Sequence, residues 1–385
     1  MSGNTNSSNH PPLPPTTEDD RISWLRLLRS RRVGIATFYR LMSEHGTAAS
    51  ALQALPEIAR DAGVENYTVF SEDAAHAELR LGQKAGASIL FIGQDTYPKQ
   101  LLDLPDPPPI LWVRGNPEVL HSNLIGLVGA RNASSLGTRM ARKLSGDLGK
   151  YGYSVVSGLA RGVDTAAHLG SLNSGSVAVL AGGIDVIYPA ENTGLANNIL
   201  KSGALIAEQP VGTVPQARHF PVRNRLISGL SRAVVVVEAA ARSGSLITAR
   251  NALDQGREVL AVPGHPMDNR AYGCNLLIRD GATLIRSAED VIEALGTPQT
   301  RPAQKELPIF STPTEPAEKP RQKTLRETAD LHRQILNRLS PSPIAEDQLI
   351  RDLCAPTQVV SPVLTELELD GKIRRQTGGL LALSS

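Results

Sequence analysis

His219-Phe-Pro-Val-Arg-Asn-Arg225 precedes the apolar run Ala233-Val-Val-Val-Val-Glu238, and Ser243-Gly-Ser-Leu-Ile-Thr-Ala249 follows it. Consecutive valines between turn-forming residues are typical of a parallel β-strand that is covered on both faces. The flanking residues predict a basic loop and a short helix before the strand, and a polar turn that opens another helix after it. Because ligands bind beyond the carboxyl ends of parallel strands, the polar turn is a candidate binding site.

The same unit of apolar strand, polar loop and helix recurs between residues 124 and 286. Strands are predicted at Leu124–Val128, Ser154–Val156, Val177–Leu180, Ala204–Ala207, Val234–Val237 and Glu258–Val262. This alternation predicts an α/β fold with a mostly parallel, doubly wound sheet. The loops that follow these strands are therefore expected to lie together at one edge of the sheet.

Arginines are concentrated in those loops, at Arg131, Arg161, Arg218, Arg223, Arg225 and Arg242. Guanidinium groups bind phosphates in fixed geometry, and the ring of Phe220 can stack on a base. The loop that begins Gly129-Ala-Arg131 and continues to Ser134 and Ser135 opens a helix, where backbone N–H groups favour an anion. Its spacing matches neither a dinucleotide-binding fingerprint nor a P-loop. The cluster indicates a polyanion as the ligand.

Asp164 and His168 lie four residues apart, on one face of a predicted helix. They could act as an acid–base pair or as metal ligands, but both roles need a third partner that the sequence does not identify. A structural role is the favoured interpretation.

Composition restricts the remaining choices. The formal net charge is +2, so affinity for nucleic acid would have to come from local clusters rather than from bulk charge. The two cysteines, Cys274 and Cys354, form no CxxC pair, which argues against a zinc site or a disulfide framework. No apolar stretch approaches the roughly 18 residues of a membrane helix, and residues 1–20 do not have the pattern of a signal peptide. We therefore expect a cytoplasmic protein without a membrane partner.

Five segments are predicted from composition and periodicity. Residues 1–20 form a disordered tail, and residues 21–84 form a helical domain of sterile-alpha-motif-like or helix-hairpin-helix-like type. Residues 85–295 contain the sheet, residues 296–328 form a flexible Pro-rich linker, and residues 329–385 form a winged helix.

The winged helix is predicted from amphipathic helices at Leu331–Leu339, Ala345–Leu353 and Pro356–Leu369, followed by a hairpin that includes Gln376–Ala382. Such modules often bind duplex DNA through the last helix. Here that helix is acidic and contains no arginine, so contact with another protein is favoured over contact with DNA.

Several motifs occur in the order found in one known family. They are Leu127-Val-Gly-Ala-Arg131, Gly158-Leu-Ala-Arg-Gly-Val-Asp-Thr-Ala-Ala-His168, Gly182-Gly-Ile-Asp-Val-Ile-Tyr-Pro189, Phe220-Pro-Val-Arg-Asn-Arg225, Ser243-Gly-Ser-Leu-Ile-Thr-Ala249 and Val262-Pro-Gly264 with Gly273-Cys-Asn275. The chain thereby resembles the DNA-processing proteins, DprA or Smf. The resemblance implies an extended Rossmann-like fold without catalytic activity or a cofactor. It also implies sequence-independent binding of single-stranded DNA, a homodimer, and loading of the RecA recombinase during natural transformation.

The resemblance also assigns roles to residues. Arg131 and its loop would hold phosphate, Phe220 would contact a base, and Arg223, Asn224 and Arg225 would line the groove. The complete predicted DNA-binding set is Gly129, Arg131, Ser134, Ser135, Arg161, Arg218, Phe220, Arg223, Asn224, Arg225, Ser243, Gly244 and Ser245. Some relatives carry a lysine shortly before the phenylalanine, where this chain has Arg218 and His219.

The segment Asn275–Ile285 contains more apolar residues than one buried face requires. Leu277 and Ile285 are expected in the core, which leaves Leu276, Ile278 and Leu284 for an outward patch. Burial of all five residues is the alternative on pattern alone, and the resemblance favours a dimer interface.

Two other functions are weaker candidates. A nucleotide-hydrolysing enzyme on a related Rossmann scaffold would carry a Pro-Gly-Gly-x-Gly-Thr-x-x-Glu string, and this chain has none. A winged-helix transcription regulator is disfavoured by the acidic last helix.

Overall fold

The computed structural model describes residues 12–296 and, beyond them, residues 335–336, 344–345, 348–350, 360, 363–364, 367–368, 372–376 and 380–383. The chain divides into two compact units, Met1–Ala303 and Gln304–Ser385. Most of the predicted tail, and nearly all of the predicted linker, lie outside the described residues.

Four helices open the first unit: α1 (Glu18–Arg29), α2 (Ile35–His45), α3 (Ala48–Asp61) and α4 (Glu72–Lys84). Thr17 and Asp20 form a capping box at the start of α1, since each side chain accepts a hydrogen bond from the other residue's backbone N–H. Helix α1 thus begins three residues before residue 21, the predicted start of the helical domain. The helices share a hydrophobic core with the sheet, and the Trp24 ring packs edge-on against Phe91 at 5.9 Å.

The central sheet has nine strands in the order β1-β2-β6-β5-β4-β3-β7-β8-β9. Their bounds are β1 (Ala87–Phe91), β2 (Ile110–Gly115), β3 (Leu124–Val128), β4 (Ser154–Ser157), β5 (Ser176–Leu180), β6 (Ala204–Ala207), β7 (Ala233–Val236), β8 (Glu258–Ala261) and β9 (Thr283–Leu284). Strands β3 to β9 are mutually parallel, whereas β2 pairs antiparallel with β6 and with β1. The predicted parallel sheet and its six strands are confirmed.

Helices cover both faces of this sheet. They are α5 (Ser135–Lys150), α6 (Val163–Ser171), α7 (Thr193–Ile199), α8 (His219–Leu230), α9 (Ser245–Asp254), α10 (Tyr272–Arg279) and α11 (Ala288–Leu295). Val234 and Val236 pack with α8, α9 and α10, while Val235 packs with α5, α6 and α11 on the other face. The valine run is buried on both faces because successive side chains of a strand point in opposite directions.

The order of the strands creates one crevice at the edge where the parallel strands end. From β3 the chain moves outward through β4, β5 and β6, and it then returns to place β7 on the other side of β3. The loops after β3 and β7 consequently diverge and leave a cleft between them. Ligands of doubly wound sheets bind at this kind of switch point.

The second unit contains a three-stranded sheet in the order β10-β12-β11, formed by β10 (Ile344–Ala345), β11 (Ile373–Gln376) and β12 (Leu380–Leu383). Its described core includes Ile335, Leu349, Val360, Leu364 and Leu367. The predicted hairpin is present, but Ala345 lies in a strand rather than at the start of a helix. Most of the three predicted helices lies outside the described residues. In the parts of both units that the structure describes, no helix is long and apolar enough to span a bilayer.

Candidate nucleic-acid interface

A cavity of about 720 Å³ occupies the crevice between β3 and β7. Five segments line it: the end of β3 with its loop, the loop into α6, the first half of α8, the turn that leads into α9, and the loop between β8 and α10. Four arginines border it, namely Arg131, Arg223, Arg242 and Arg270. Among the described residues at its wall the only carboxylate is Asp164, which is buried. The cavity is therefore electropositive.

The loop after β3 carries Gly129 and Arg131. A Cβ at Gly129 would lie 2.6 Å from the Val163 side chain, so glycine permits the close approach of this loop to α6. Arg131 is exposed, and its guanidinium carbon lies 4.8 Å from the centroid of the Phe220 ring. This cation–π contact holds the guanidinium at the mouth of the cavity.

The start of α5 differs from the expectation for Ser134 and Ser135. The Ser134 hydroxyl accepts a hydrogen bond from the Gly137 N–H at 2.9 Å, so Ser134 is the cap of the helix. The Ser134 N–H and hydroxyl both donate to the carboxylate of Glu238. Neither serine lines the cavity. The predicted anion position at this terminus is filled by a side chain of the protein itself.

Residues Phe220–Arg225 lie within α8, and the prediction of a basic loop there is wrong. A helix turns by about 100° per residue, so Arg223 and Arg225 point in nearly opposite directions. Arg223 is buried at the cavity floor and donates from Nη1 to the carbonyl oxygens of Gly158 at 2.5 Å and Val179 at 2.6 Å. Burial lowers its pKa to about 10, although the charge of Asp164 opposes this shift.

Arg225 does not line the cavity, which corrects the expectation that it borders the groove. Its Nη2 donates to both carboxylate oxygens of Glu208 at 2.7 and 2.8 Å, and its Nη1 donates to the carbonyl oxygen of Asp106 at 2.9 Å. The arginine and glutamate side chains are only 12% and 13% exposed. Burial raises the pKa of the Glu208 carboxyl, and Arg225 counteracts the rise. Arg225 thus joins α8 to the connector before β2.

Asp164 and His168 are structural in this geometry, as favoured from the sequence. The Asp164 carboxylate accepts from the backbone N–H groups of Gly158 and Ala160 at 3.1 and 3.3 Å. The His168 Nε2 accepts from the Leu159 N–H at 3.3 Å, so Nδ1 carries the proton and donates to the Ser176 hydroxyl at 2.7 Å. Burial lowers the pKa of His168 to about 3, with Arg223 contributing. Both side chains fix the loop before α6.

The turn after β7 forms the opposite wall. The hydroxyl groups of Ser243 and Ser245 lie 2.7 Å apart, and the Asn224 side chain donates to the Gly244 carbonyl oxygen at 3.4 Å. Arg242 is exposed, and no carboxylate among the described residues forms an ion pair with it. Its guanidinium is therefore available to a bound anion.

An aromatic surface extends from the cavity mouth. The Tyr188 ring is 53% exposed and lies 5.8 Å from Phe220, at an angle of 59° between the ring planes. A smaller recess beside it is lined by Arg131, Arg161 and Pro189, among others. Arg161 is paired there with Glu191, with a distance of 2.7 Å between Nε and Oε1.

Comparison with known proteins identifies the family. The model of the family described as DNA recombination-mediator protein A matches residues 88–296, which is more than half of the chain. The chain belongs to the DprA/Smf family. Models described as the DprA-like N-terminal HHH domain and the DprA winged helix domain match residues 18–80 and 318–379.

Two DprA/Smf relatives illustrate the likeness along the chain. Protein Smf of Synechocystis is 34% identical over 318 residues, which cover 77% of this chain and 80% of the relative. DNA processing protein DprA of Streptococcus pneumoniae is 38% identical over 256 residues, which cover 65% of this chain and 89% of the relative.

Two solved DprA structures have the same fold. The structure of the Streptococcus pneumoniae protein aligns with a TM-score of 0.57 at 32% identity, and covers 69% of this chain and 88% of its own. The structure of the Helicobacter pylori protein aligns with a TM-score of 0.50 at 28% identity, and covers 54% of this chain and 95% of its own. A single-stranded DNA binding mode is described for that Helicobacter pylori protein.

Of the residues predicted for this DprA/Smf chain, eight line the cavity: Gly129, Arg131, Phe220, Arg223, Asn224, Ser243, Gly244 and Ser245. Arg161 borders only the smaller recess, and Arg218 is exposed outside both. Sequence reasoning missed Asn132, Thr248 and Arg270 in the cavity wall, and the exposed Tyr188 beside it. Tyr188 belongs to the Gly182–Pro189 motif, which begins in a loop predicted at the ligand edge of the sheet. That position was the signal that could have identified Tyr188. Within the described residues, no cluster of His, Cys, Asp and Glu is placed to hold a metal ion.

Proposed function

We propose that this protein binds single-stranded DNA without sequence preference in the crevice between β3 and β7. The observation that carries the proposal is the cavity of about 720 Å³ with four arginines at its wall and an exposed aromatic ring beside its mouth. Arginine and aromatic side chains are the combination that holds phosphates and stacks on bases of any identity. The Helicobacter pylori relative, for which a single-stranded DNA binding mode is described, supports the same ligand class.

In this proposal the arginines have distinct positions. Arg131 and Arg242 are exposed at the two walls and contact successive phosphates, while the buried Arg223 presents its remaining donors from the floor. Phe220 and Tyr188 contact bases through their rings. Such contacts read the backbone and the base faces, which every nucleotide shares, so the binding is independent of sequence.

A titration with labelled oligonucleotides tests the ligand. We expect tighter binding to a single strand than to a duplex, and a decline of log K with log salt of about 0.7 for each phosphate neutralised. Hydrolysis of nucleotides is measured in parallel, because a related scaffold carries that activity. Affinity that does not depend on salt, tighter duplex binding, or turnover of nucleotides would each contradict the proposal.

The strand-binding site is assigned to the first unit of the chain. A protein that ends after Ala303 is expected to remain folded and to bind a single strand as the full chain does, since every cavity residue precedes that point. Loss of binding in this truncated protein would instead favour a role of the winged helix in DNA contact.

Loading of RecA during natural transformation is the finer part of the proposed function. It is supported by the family description as a recombination mediator. The test is the rate at which RecA assembles on a strand already coated by a competing single-strand-binding protein. We expect faster assembly in the presence of this protein, and an unchanged rate would exclude the loading function.

A homodimer through the far edge of the sheet completes the proposal. Leu284 is 43% exposed on the edge strand β9, and Leu276 and Ile278 are half-buried on the adjacent α10. A two-fold contact would cover this edge and place two crevices on one particle, so a long strand could bind both. Sedimentation equilibrium of Ile278→Glu and Leu284→Arg is expected to give folded monomers. Leu253→Arg, at an exposed leucine of α9, is the control that stays dimeric. A monomeric wild type would overturn the assignment.

A further inference from the structure

Glu238 lies just beyond β7, and its carboxylate contacts the amino-terminal end of α5 beside the crevice. One carboxylate oxygen accepts from the Ser134 N–H at 2.9 Å, and the other accepts from the Ser134 hydroxyl. A Cβ at Gly137 would overlap the Glu238 carboxylate, so glycine at this position lets the carboxylate rest against the first turn. Two separate features of the chain thus accommodate this carboxylate.

The position that Glu238 fills is the one where doubly wound folds bind a nucleotide phosphate. In such folds the phosphate lies at the amino-terminal end of the helix after the first strand of the switch, where free N–H groups and the helix dipole favour an anion. In this chain the negative charge there belongs to the protein. The lining of the cavity is consistent with an occupied phosphate position, because in the loop after β3 it extends only to Asn132 and does not include Ser134 or Gly137.

The charge of Glu238 also reaches the cavity itself. Hydrogen bonds to Asp268 raise the pKa of Arg270, which lines the cavity, and the negative charge of Glu238 adds to the rise. A free nucleotide carries a phosphate monoester with nearly two negative charges, whereas each phosphate within a strand carries one. Repulsion by a fixed carboxylate consequently acts more strongly on the monomer than on the polymer.

We propose that Glu238 is a specificity-determining residue that occupies the phosphate position at α5 and excludes free nucleotides from the crevice. The crevice then remains open to a DNA strand, whose phosphates are held by Arg131 and Arg242 on the exposed walls. This inference rests on the proposed function of the crevice. It accounts for a nucleotide-type fold that takes a strand rather than a single nucleotide.

The test is calorimetric titration of the full-length protein with deoxyadenosine monophosphate and, separately, with a single-stranded oligonucleotide. Glu238→Ala vacates the position and is expected to bind the mononucleotide roughly ten-fold more tightly than the wild type. Glu238→Gln removes the charge but keeps an oxygen for Ser134, and a smaller gain is expected. Glu258→Gln is the control, because it makes the same change of net charge at an exposed residue where β8 begins, at the opposite edge of the sheet.

Either of two results would overturn the inference. Folded Glu238 variants that bind the mononucleotide no better than the wild type would mean that the carboxylate only braces α5. An equal gain for mononucleotide and oligonucleotide would mean that the effect is general electrostatics. Should Glu238→Ala fail to fold, Glu238→Gln decides alone. A wild type that does not bind the oligonucleotide would instead contradict the proposed function, and the mononucleotide comparison remains a separate readout.

Discussion

The two sides of α8 use the same residue type for different purposes. On the cavity side, Arg131 and Arg242 are exposed and Arg223 is buried, and neither of the exposed pair has a carboxylate partner among the described residues. On the opposite side, Arg225 is nearly buried and is bonded to Glu208 and to the connector at Asp106. Arginines of one motif region therefore differ in burial and in partners: the buried Arg223 and Arg225 are bonded to the scaffold, whereas the exposed Arg131 and Arg242 remain available to an anion.

The largest effect is expected from Arg225→Ala. This change leaves the Glu208 carboxylate buried without its partner, which typically costs about 3–5 kcal/mol of unfolding free energy. Urea denaturation at neutral pH measures the loss. Arg161→Ala is the control, since it removes an arginine from an exposed ion pair at the same edge of the sheet and is expected to leave stability unchanged.

The pH dependence of Arg225→Ala provides a second check. Burial raises the pKa of Glu208 above its ordinary value of 4.5, and loss of Arg225 removes an opposing influence, so the folded variant retains a proton that the unfolded chain has released. Stability of the variant therefore falls as pH rises from about 4.5 toward 7. The loss of stability relative to the wild type is therefore expected to be smaller at acidic pH. A deficit that is independent of pH would mean that Glu208 is not its origin.

Arg131→Ala is expected to act on DNA binding and not on folding. Loss of one phosphate contact should reduce the salt dependence by about 0.7 in the slope of log K against log salt, with affinity for a single strand lowered roughly ten-fold. Fluorescence anisotropy at several salt concentrations measures both quantities. If Arg131→Ala destabilises the protein as Arg225→Ala does, the distinction between the two sides of α8 is wrong.

The sheet and the crevice could be predicted from the sequence, although the different roles of these arginines could not. The strands of the sheet follow from runs such as Val234–Val237, because a buried parallel strand has a local signature that needs no knowledge of its neighbours. The crevice follows from topology, since polar loops after parallel strands must meet at one edge.

What the sequence could not provide was the direction and the partner of each side chain. Interpreting Phe220–Arg225 as a loop concealed the helical rotation that separates Arg223 from Arg225. The partners Glu208 and Glu238 lie 17 and 104 residues from the side chains they bind, and such long-range contacts leave no local pattern. The same holds for Tyr188, whose contact with Phe220 depends on how two loops fold together.

Replacement of Tyr188 tests the contribution of stacking on the cavity side separately from that of charge. Tyr188→Ala removes a half-exposed ring and should cost about 1–3 kcal/mol of binding free energy with no change in the salt dependence. Tyr188→Phe keeps the ring and should bind as the wild type does. Tyr272→Ala, at an exposed tyrosine of α10 that does not line the cavity, is the matched control. An altered salt slope in Tyr188→Ala would indicate that the change displaces Arg131 rather than a base.

The smallest effect is expected from Arg218→Ala, where a motif arginine belongs to neither side of α8. Arg218 precedes the helix and is exposed, and among the described residues its side chain donates only to the neighbouring His219, at 3.4 Å. It lines neither the cavity nor the recess, so its removal should change affinity for a short strand by less than about two-fold and leave stability intact. The measurement is made with strands of increasing length. A loss that appears only with longer strands would place the path of the DNA beyond the cavity, over the start of α8.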